Sequence, residues 1–292
     1  MNSIIQNKKF IVIFSLFTAY LFLVMLDSLV KYLAEFILIE QLLWARYFFH
    51  LIFILLFFLI KKPPINLKKN FKIQLLRSVL MISITVLLFI SFKNLDLTNV
   101  YVLFFSAPIF LALMASFFLK DNLSKTGWLL TILSFVSILY SLEPEKFAFT
   151  IYTFMPLIAG LAYAAYQFLT KLLSKDREPF TALFYTALLG TLFFSIYSLI
   201  DWTPISQPIF WLGLVLIGFL GFLGHLLIIY AIQFSNLSFV SSFQYSQIIW
   251  GAIFNYFIFN ISISDKKLIG IILVVIFGLL FIKTEMGKIE KI

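Results

Sequence analysis

The 292-residue chain contains no cysteine, so neither a disulfide, an iron–sulfur cluster nor a thiol nucleophile can belong to it. Charge is scarce too. Only 12% of residues are Asp, Glu, Lys or Arg, where a soluble domain carries about a quarter. His50 and His225 are the two histidines, too few for a multi-histidine metal site. No phosphate loop of the form GxxxxGKS/T occurs, which removes ATP hydrolysis, and GxSxG and HExxH are absent as well. Ser28-Leu29-Val30-Lys31 has SxxK spacing without the companion motifs. What is abundant is apolar: 62% of the chain, with 38 phenylalanines and a mean hydropathy of +1.05. No globular core of this length could hide that much Leu, Ile and Phe. A soluble enzyme, a disordered regulator and a disulfide scaffold are excluded. Most of this chain is solvated by lipid.

Apolar runs near Phe10–Val30, Ile39–Ile60, Leu75–Phe92, Val100–Leu119, Trp128–Leu142, Ile151–Leu173, Phe180–Ile200, Phe210–Ile232, Phe239–Phe259 and Leu268–Ile282 predict ten membrane helices. They are about twice the length of a barrel strand and lack its period-two alternation. The first run is too long for a signal-peptide core, and Asp27-Ser28 is no cleavage site, so it reads as a retained helix. With the N-terminus in the cytoplasm, 16 Lys and Arg residues fall on inside segments and 5 on the opposite side, with Arg46 inside a span. This asymmetry predicts cytoplasmic termini and accounts for the net charge of +9 without nucleic acid.

Sliding the chain against itself by 140 residues registers the two halves. Lys31 falls on Lys171, Leu33 on Leu173, Ser106 on Ser246, Ser124 on Ser264, Leu97 on Leu237 and Val100 on Val240. Each half has an odd number of spans, so the second enters the membrane inverted. The expected units are residues 1–146 and 147–292. Inverted repeats of this kind enclose transport sites near the bilayer midplane.

Several local features accompany this plan: Ser106-Ala107-Pro108 with Phe118-Leu119-Lys120-Asp121, Tyr230-Ala231-Ile232, and Gly270 with Gly278. So do Asp27-Ser28 with Lys31-Tyr32-Leu33, Trp44 with Arg46-Tyr47, and Gly224-His225-Leu226. Over essentially the whole length the chain resembles the EamA-type transporters of the drug/metabolite transporter superfamily. Asn260-Ile261 stands where that family usually has an acid after the ninth span. The resemblance implies movement of a small organic metabolite, with amino acids, nucleosides, vitamins, sulfonium compounds and drugs all within the family's range. A bacterial inner-membrane location and an importer of a cofactor-like solute, such as S-adenosylmethionine or a vitamin, follow from that resemblance alone.

Polar groups inside the spans need a reason, because lipid penalises them. Arg46 keeps its charge, and it either pairs with Asp27 or Glu40 or snorkels near the outer interface, or it meets an anionic substrate group. Asp27 and Lys31 are four apart on one face, forming a plain ion pair or an outer gate. His225 follows glycines 218, 221 and 224, which admit a close helix neighbour or a ligand. It is a candidate carrier of a coupling proton or a hydrogen-bonded neutral side chain. Gln244, Tyr245, Gln247 and Trp250 crowd the ninth span, and Tyr163, Tyr166 and Gln167 the sixth. Together with Arg46 and His225 these are the candidate substrate residues, either lining a polar pocket or bonding between helices. Pro108 is expected to bend the fourth span, and the phenylalanines are read as mostly lipid-facing.

The expected fold is all-α, with ten transmembrane helices in two inverted five-helix repeats. The expected function is secondary transport by rocking of the two halves, around a cavity lined mainly by spans three, four, eight and nine. The expected partners are a metabolite, membrane lipid and a coupling proton, with no cofactor. A membrane-embedded transferase and a helical scaffold subunit are the competing readings.

Overall fold

Inside hydrocarbon every backbone N–H and C=O must be bonded within its own segment, so long runs of Leu, Ile and Phe resolve into helices. The computed structural model describes residues 2–63, 65–119, 124–141, 150–174, 179–198, 200, 202–235 and 237–285. These residues form α1 (Asn2–Leu33), α2 (Ile39–Lys61), α3 (Phe71–Asn94), α4 (Leu97–Phe104), α5 (Ala107–Leu119) and α6 (Lys125–Ser141) in the first half. The second half contains α7 (Ile151–Ser174), α8 (Pro179–Ser198), α9 (Pro208–Gln233), α10 (Leu237–Phe243), α11 (Ser246–Phe259) and α12 (Asp265–Glu285). Among the described residues there is no strand. Six stretches are long and apolar enough to cross a bilayer by themselves. Large apolar side chains such as Leu59, Ile60, Phe117, Ile196 and Phe257 stand on the outside of the bundle. Only a lipid surround makes that arrangement stable. Other phenylalanines (Phe89, Phe92, Phe104, Phe105, Phe194) are buried, so the rings are not simply lipid-facing.

The fourth and ninth spans are each two helices. The fourth breaks at Phe105-Ser106 and the ninth at Gln244-Tyr245, 139–140 residues later, so the repeat extends to this irregularity. Pro108 is the second residue of α5, a position where its missing N–H costs little. The span therefore breaks just ahead of Pro108 instead of bending at it. A second symmetric pair is more telling. Lys31 Nζ donates to the carbonyls of Phe92 (3.2 Å) and Leu95 (2.9 Å), closing the C-terminus of α3. Lys171 Nζ donates to the carbonyls of Ile232 (2.9 Å) and Ser235 (2.7 Å), closing the C-terminus of α9. The residues match at the 140-residue offset, and each lysine supplies donors where helix carbonyls have none. The expected boundary between residues 146 and 147, like Lys120 and Asp121, lies outside the described residues.

The two halves interleave. Helix α1 packs chiefly on α9, α2 on α8 and α9, α3 on α7 and α8, α5 on α7 and α10, and α6 on α12. Contacts within either half are sparser. Each half thus packs more on the other than on itself. Glycines permit the closest crossings. A Cβ at Gly160 of α7 would lie 2.7 Å from the Phe104 carbonyl and 2.6 Å from Ser106 Oγ, at the break in the fourth span. Backbone cannot yield there, and overpacking of this kind costs about 1–3 kcal/mol. Gly160→Ala is expected to lower the detergent-phase melting temperature by several degrees, whereas an unchanged melting point would show that the break is loosely packed.

Candidate functional site

A cavity of about 40 Å³, enough for a few water molecules, lies between the halves, well inside the spans. Asp27, Arg46, Met81, Thr85, Phe89, Tyr101, Phe104, Tyr163, His225 and Gln247 line it. Span three lines it as expected, span one contributes more and spans eight and nine less than expected, and both helix breaks flank it. Irregular backbone at this depth is tolerated only where it borders such a space. Polar bridges join the halves toward either end of the bundle. On the side where α2 begins, Gln41 Nε2 donates to the Thr203 carbonyl, and Thr203 Oγ1 donates to Gln41 Oε1, both at 2.7 Å. On the lysine-rich side, Asn66 N–H donates to Thr181 Oγ1 (3.3 Å), and the Tyr185 hydroxyl donates to the Leu67 carbonyl.

Arg46 enters the cavity from α2 and is 4% exposed. Its Nη2 lies 2.9 Å from His225 Nε2. Arginine can only donate, so Nε2 is the accepting nitrogen and the His225 proton sits on Nδ1. No carboxylate closes on the guanidinium: Arg46 Nε and Nη1 are buried without a hydrogen-bond partner. Asp27 is instead held by Tyr101, whose hydroxyl donates to Oδ2 at 2.8 Å. A buried cation with two free donors and a carboxylate held separately are suited to recognising a ligand that carries charge or strong dipoles. The glycines of α9 set this geometry. Gly218 and Gly224 meet α2 and α1 closely, and a Cβ at Gly221 would lie 2.4 Å from Arg46 Nη1. That atom is the end of a flexible side chain and can move. Gly221→Ala is therefore expected to keep its melting temperature within a few degrees but lose about tenfold or more in ligand affinity, as the displaced guanidinium gives up roughly one charged hydrogen bond. Equal affinity in a ligand-titrated melting assay would show that the position of Arg46 is irrelevant to binding.

The other candidates divide. Gln247 and Tyr163 line the cavity. Gln167 and Gln244, both fully buried, gather with Tyr163 around the Tyr20 hydroxyl. Gln244 sits in the break, which interrupts the expected Gln244–Gln247–Trp250 stripe. Tyr245 packs on Phe105 (5.6 Å between centroids) and Trp250 edge-on against Phe17 (5.1 Å), both away from the cavity lining. Tyr166 is spent on Arg77, accepting from Nη2 at 2.6 Å. Asp27 and Lys31 do not form the i, i+4 ion pair: the first lines the cavity and the second caps α3. His50 stacks parallel to His225 at 6.4 Å.

Sequence reasoning missed Tyr20, Tyr101, Thr85 and Arg77. Tyr101 is seated by Gly251, whose absent Cβ leaves room for the ring 2.7 Å away. Asn255 Nδ2 donates to Thr98 Oγ1 at 2.6 Å, tying α11 to α4. Asn260, in place of the family's usual acid, adopts φ 53° and terminates α11. A left-handed cap is a role that asparagine fills well.

Ten membrane spans in two inverted halves, with paired helix breaks around a central polar cavity, define an inverted-repeat membrane architecture of the kind transporters use. The profile of the EamA-like transporter family matches residues 10–142 and again 150–284, and the chain belongs to that family. It is 27% identical over 195 residues to an S-adenosylmethionine uptake transporter of Rickettsia bellii, covering 66% of each chain. It is 24% identical over 174 residues to a riboflavin transporter of Vibrio cholerae, covering 60% of this chain and 58% of that one. The matched stretch thus spans 58–66% of the length of these relatives. A solved crystal structure superposes with a TM-score of 0.71 over 96% of this chain and 99% of its own, at 13% identity, which shows the shared fold. Family and relatives are transporters, not enzymes.

Proposed function

We propose that this multi-pass membrane protein is a secondary transporter carrying a small organic metabolite across a bacterial inner membrane by alternating access, with both termini cytoplasmic. The observation that carries the reading is Arg46: a buried guanidinium with two unpartnered donor atoms in a cavity between the halves. A buried polar group without a partner is costly, and a ligand's anionic or carbonyl group would relieve that cost. The lysine-rich face supports the orientation, even after Lys31, Arg77 and Lys171, which are structural, are set aside. Because the halves interleave, access must alternate by exchanging the α1–α2–α9 seal against the α3–α7–α8 seal. Relatives named for S-adenosylmethionine and riboflavin make nitrogen-heterocyclic metabolites the first class to test. Purified protein in liposomes is expected to take up one such labelled compound without ATP. The same compound at 100 times its dissociation constant would stabilise the protein by about 2.7 kcal/mol. Absence of both uptake and stabilisation across amino acids, nucleosides, vitamins and sulfonium compounds would overturn the proposal.

A further inference from the structure

Arg77 of α3 is completely buried, 0% exposed, in the lysine-rich half of the bundle. Its Nε donates to Thr170 Oγ1 (2.7 Å) and its Nη1 to the Ala182 carbonyl and Thr186 Oγ1 (2.9 Å each). Its Nη2 donates to the Tyr166 hydroxyl (2.6 Å), and the guanidinium carbon lies 4.4 Å from that ring centroid. Every one of these partners belongs to α7 or α8 in the other half, and every one is neutral. The charge therefore cross-links the halves without a carboxylate to neutralise it.

The inverted repeat supplies an internal control. At the 140-residue offset Arg77 corresponds to Ile217, Tyr166 to Leu26, Thr170 to Val30 and Ala182 to Leu42, while Thr186 corresponds to the cavity's Arg46; the first four replacements are apolar. These four residues are buried together in one apolar cluster beneath the opposite mouth. The contact on one side is thus built round an apolar cluster beneath the Gln41–Thr203 bridge, and the one on the other side round a cation that is hydrated when open. Parting the apolar cluster exposes its surface to water, which is resisted. Parting the arginine seal lets water replace each bond and restores hydration to a charge whose burial carries a desolvation penalty. The two closures are alike in backbone and unlike in chemistry.

We propose that Arg77 is the latch of the lysine-rich mouth, and that this mouth opens when water replaces its bonds to Tyr166, Thr170 and Thr186. The inference rests on the transport reading above, but its test does not need the substrate. The chain has no native cysteine, so Met81→Cys, on the cavity wall, is a single reporter for a membrane-impermeant maleimide in vesicles of both orientations. Tyr166→Phe and Thr186→Val each remove a latch acceptor at nearly constant volume and keep the arginine, avoiding the folding failure that Arg77→Ala risks. Labelling from the lysine-rich face is expected to rise about tenfold in each variant, the effect of one charged hydrogen bond, with labelling from the other face unchanged or slower. Unchanged labelling from the lysine-rich face would overturn the latch, as would an equal rise from both faces, which signals a loosened fold. If labelling follows the latch while no metabolite is transported, the transport reading fails and the latch stands.

Discussion

Replacing Arg46 with alanine is expected to remove substrate binding while leaving the protein folded. Truncating one member of a buried, hydrogen-bonded charged contact costs about 2–5 kcal/mol of binding, at least about 30-fold in affinity. Folding is affected less, because two of the arginine's donor atoms have no protein partner to lose. Arg46→Lys should fail nearly as badly: an ammonium group is a point charge and cannot reproduce the guanidinium's planar fork. The measurement is uptake into liposomes alongside ligand-induced stabilisation, using whichever metabolite the wild type accepts. Binding within threefold of wild type would place the recognition site elsewhere and leave Arg46 as a purely structural bridge to His225.

The second large effect concerns stability. Lys31→Met and Lys171→Met each strip two charged hydrogen bonds from the end of a membrane helix. Each is expected to cost about 1.5–3 kcal/mol or more, and because the two sites lie at opposite mouths their effects add. Denaturant or thermal unfolding in detergent measures this, with the double variant set against the sum of the singles. The equality is the sharper half of the prediction, since it follows from the repeat. If Lys31→Met left the melting point unchanged yet abolished uptake, the lysine would be a moving gate and not a helix cap.

How much of this was legible in the residues depended on what each feature looks like in one dimension. Span number, helical class and the inverted repeat were visible because length and apolarity are additive along the chain. Arg46, His225, Gln247 and Tyr163 were visible as polar residues stranded in apolar runs, and the structure brings them to one wall. Arg77 was not, because it lies six residues into α3 and resembled one more basic residue at a loop margin. Its partners Tyr166 and Thr170, four apart on α7, and Thr186 were the available signal: a polar face with no obvious use. The helix breaks were hidden for a different reason. Phe105-Ser106 interrupts the backbone with little interruption of the apolarity, and the polar run around Gln244-Tyr245 reads as equally well suited to lining a pocket, so neither announces a break. The Asp27–Lys31 pairing failed because shared helix phase allows two side chains to meet but does not oblige them to. Tyr101 and the α3 carbonyls offered each a better partner.

The interleaving of the halves also bears on how the protein is made. Helix α1 is synthesised about 175 residues before its main partner α9 begins, a gap of roughly 10–35 s at ordinary elongation rates. During that interval α1, α2 and α3 must reside in the membrane with their inward faces, including a charged Arg77 and Arg46, exposed to lipid or to the insertion machinery. Substitutions at the α1–α9 glycine crossings, such as Gly224, will therefore register first as low yield and proteolysis of nascent chains. A variant that never accumulates is, for this fold, an assembly defect, and its transport phenotype says nothing about the cavity.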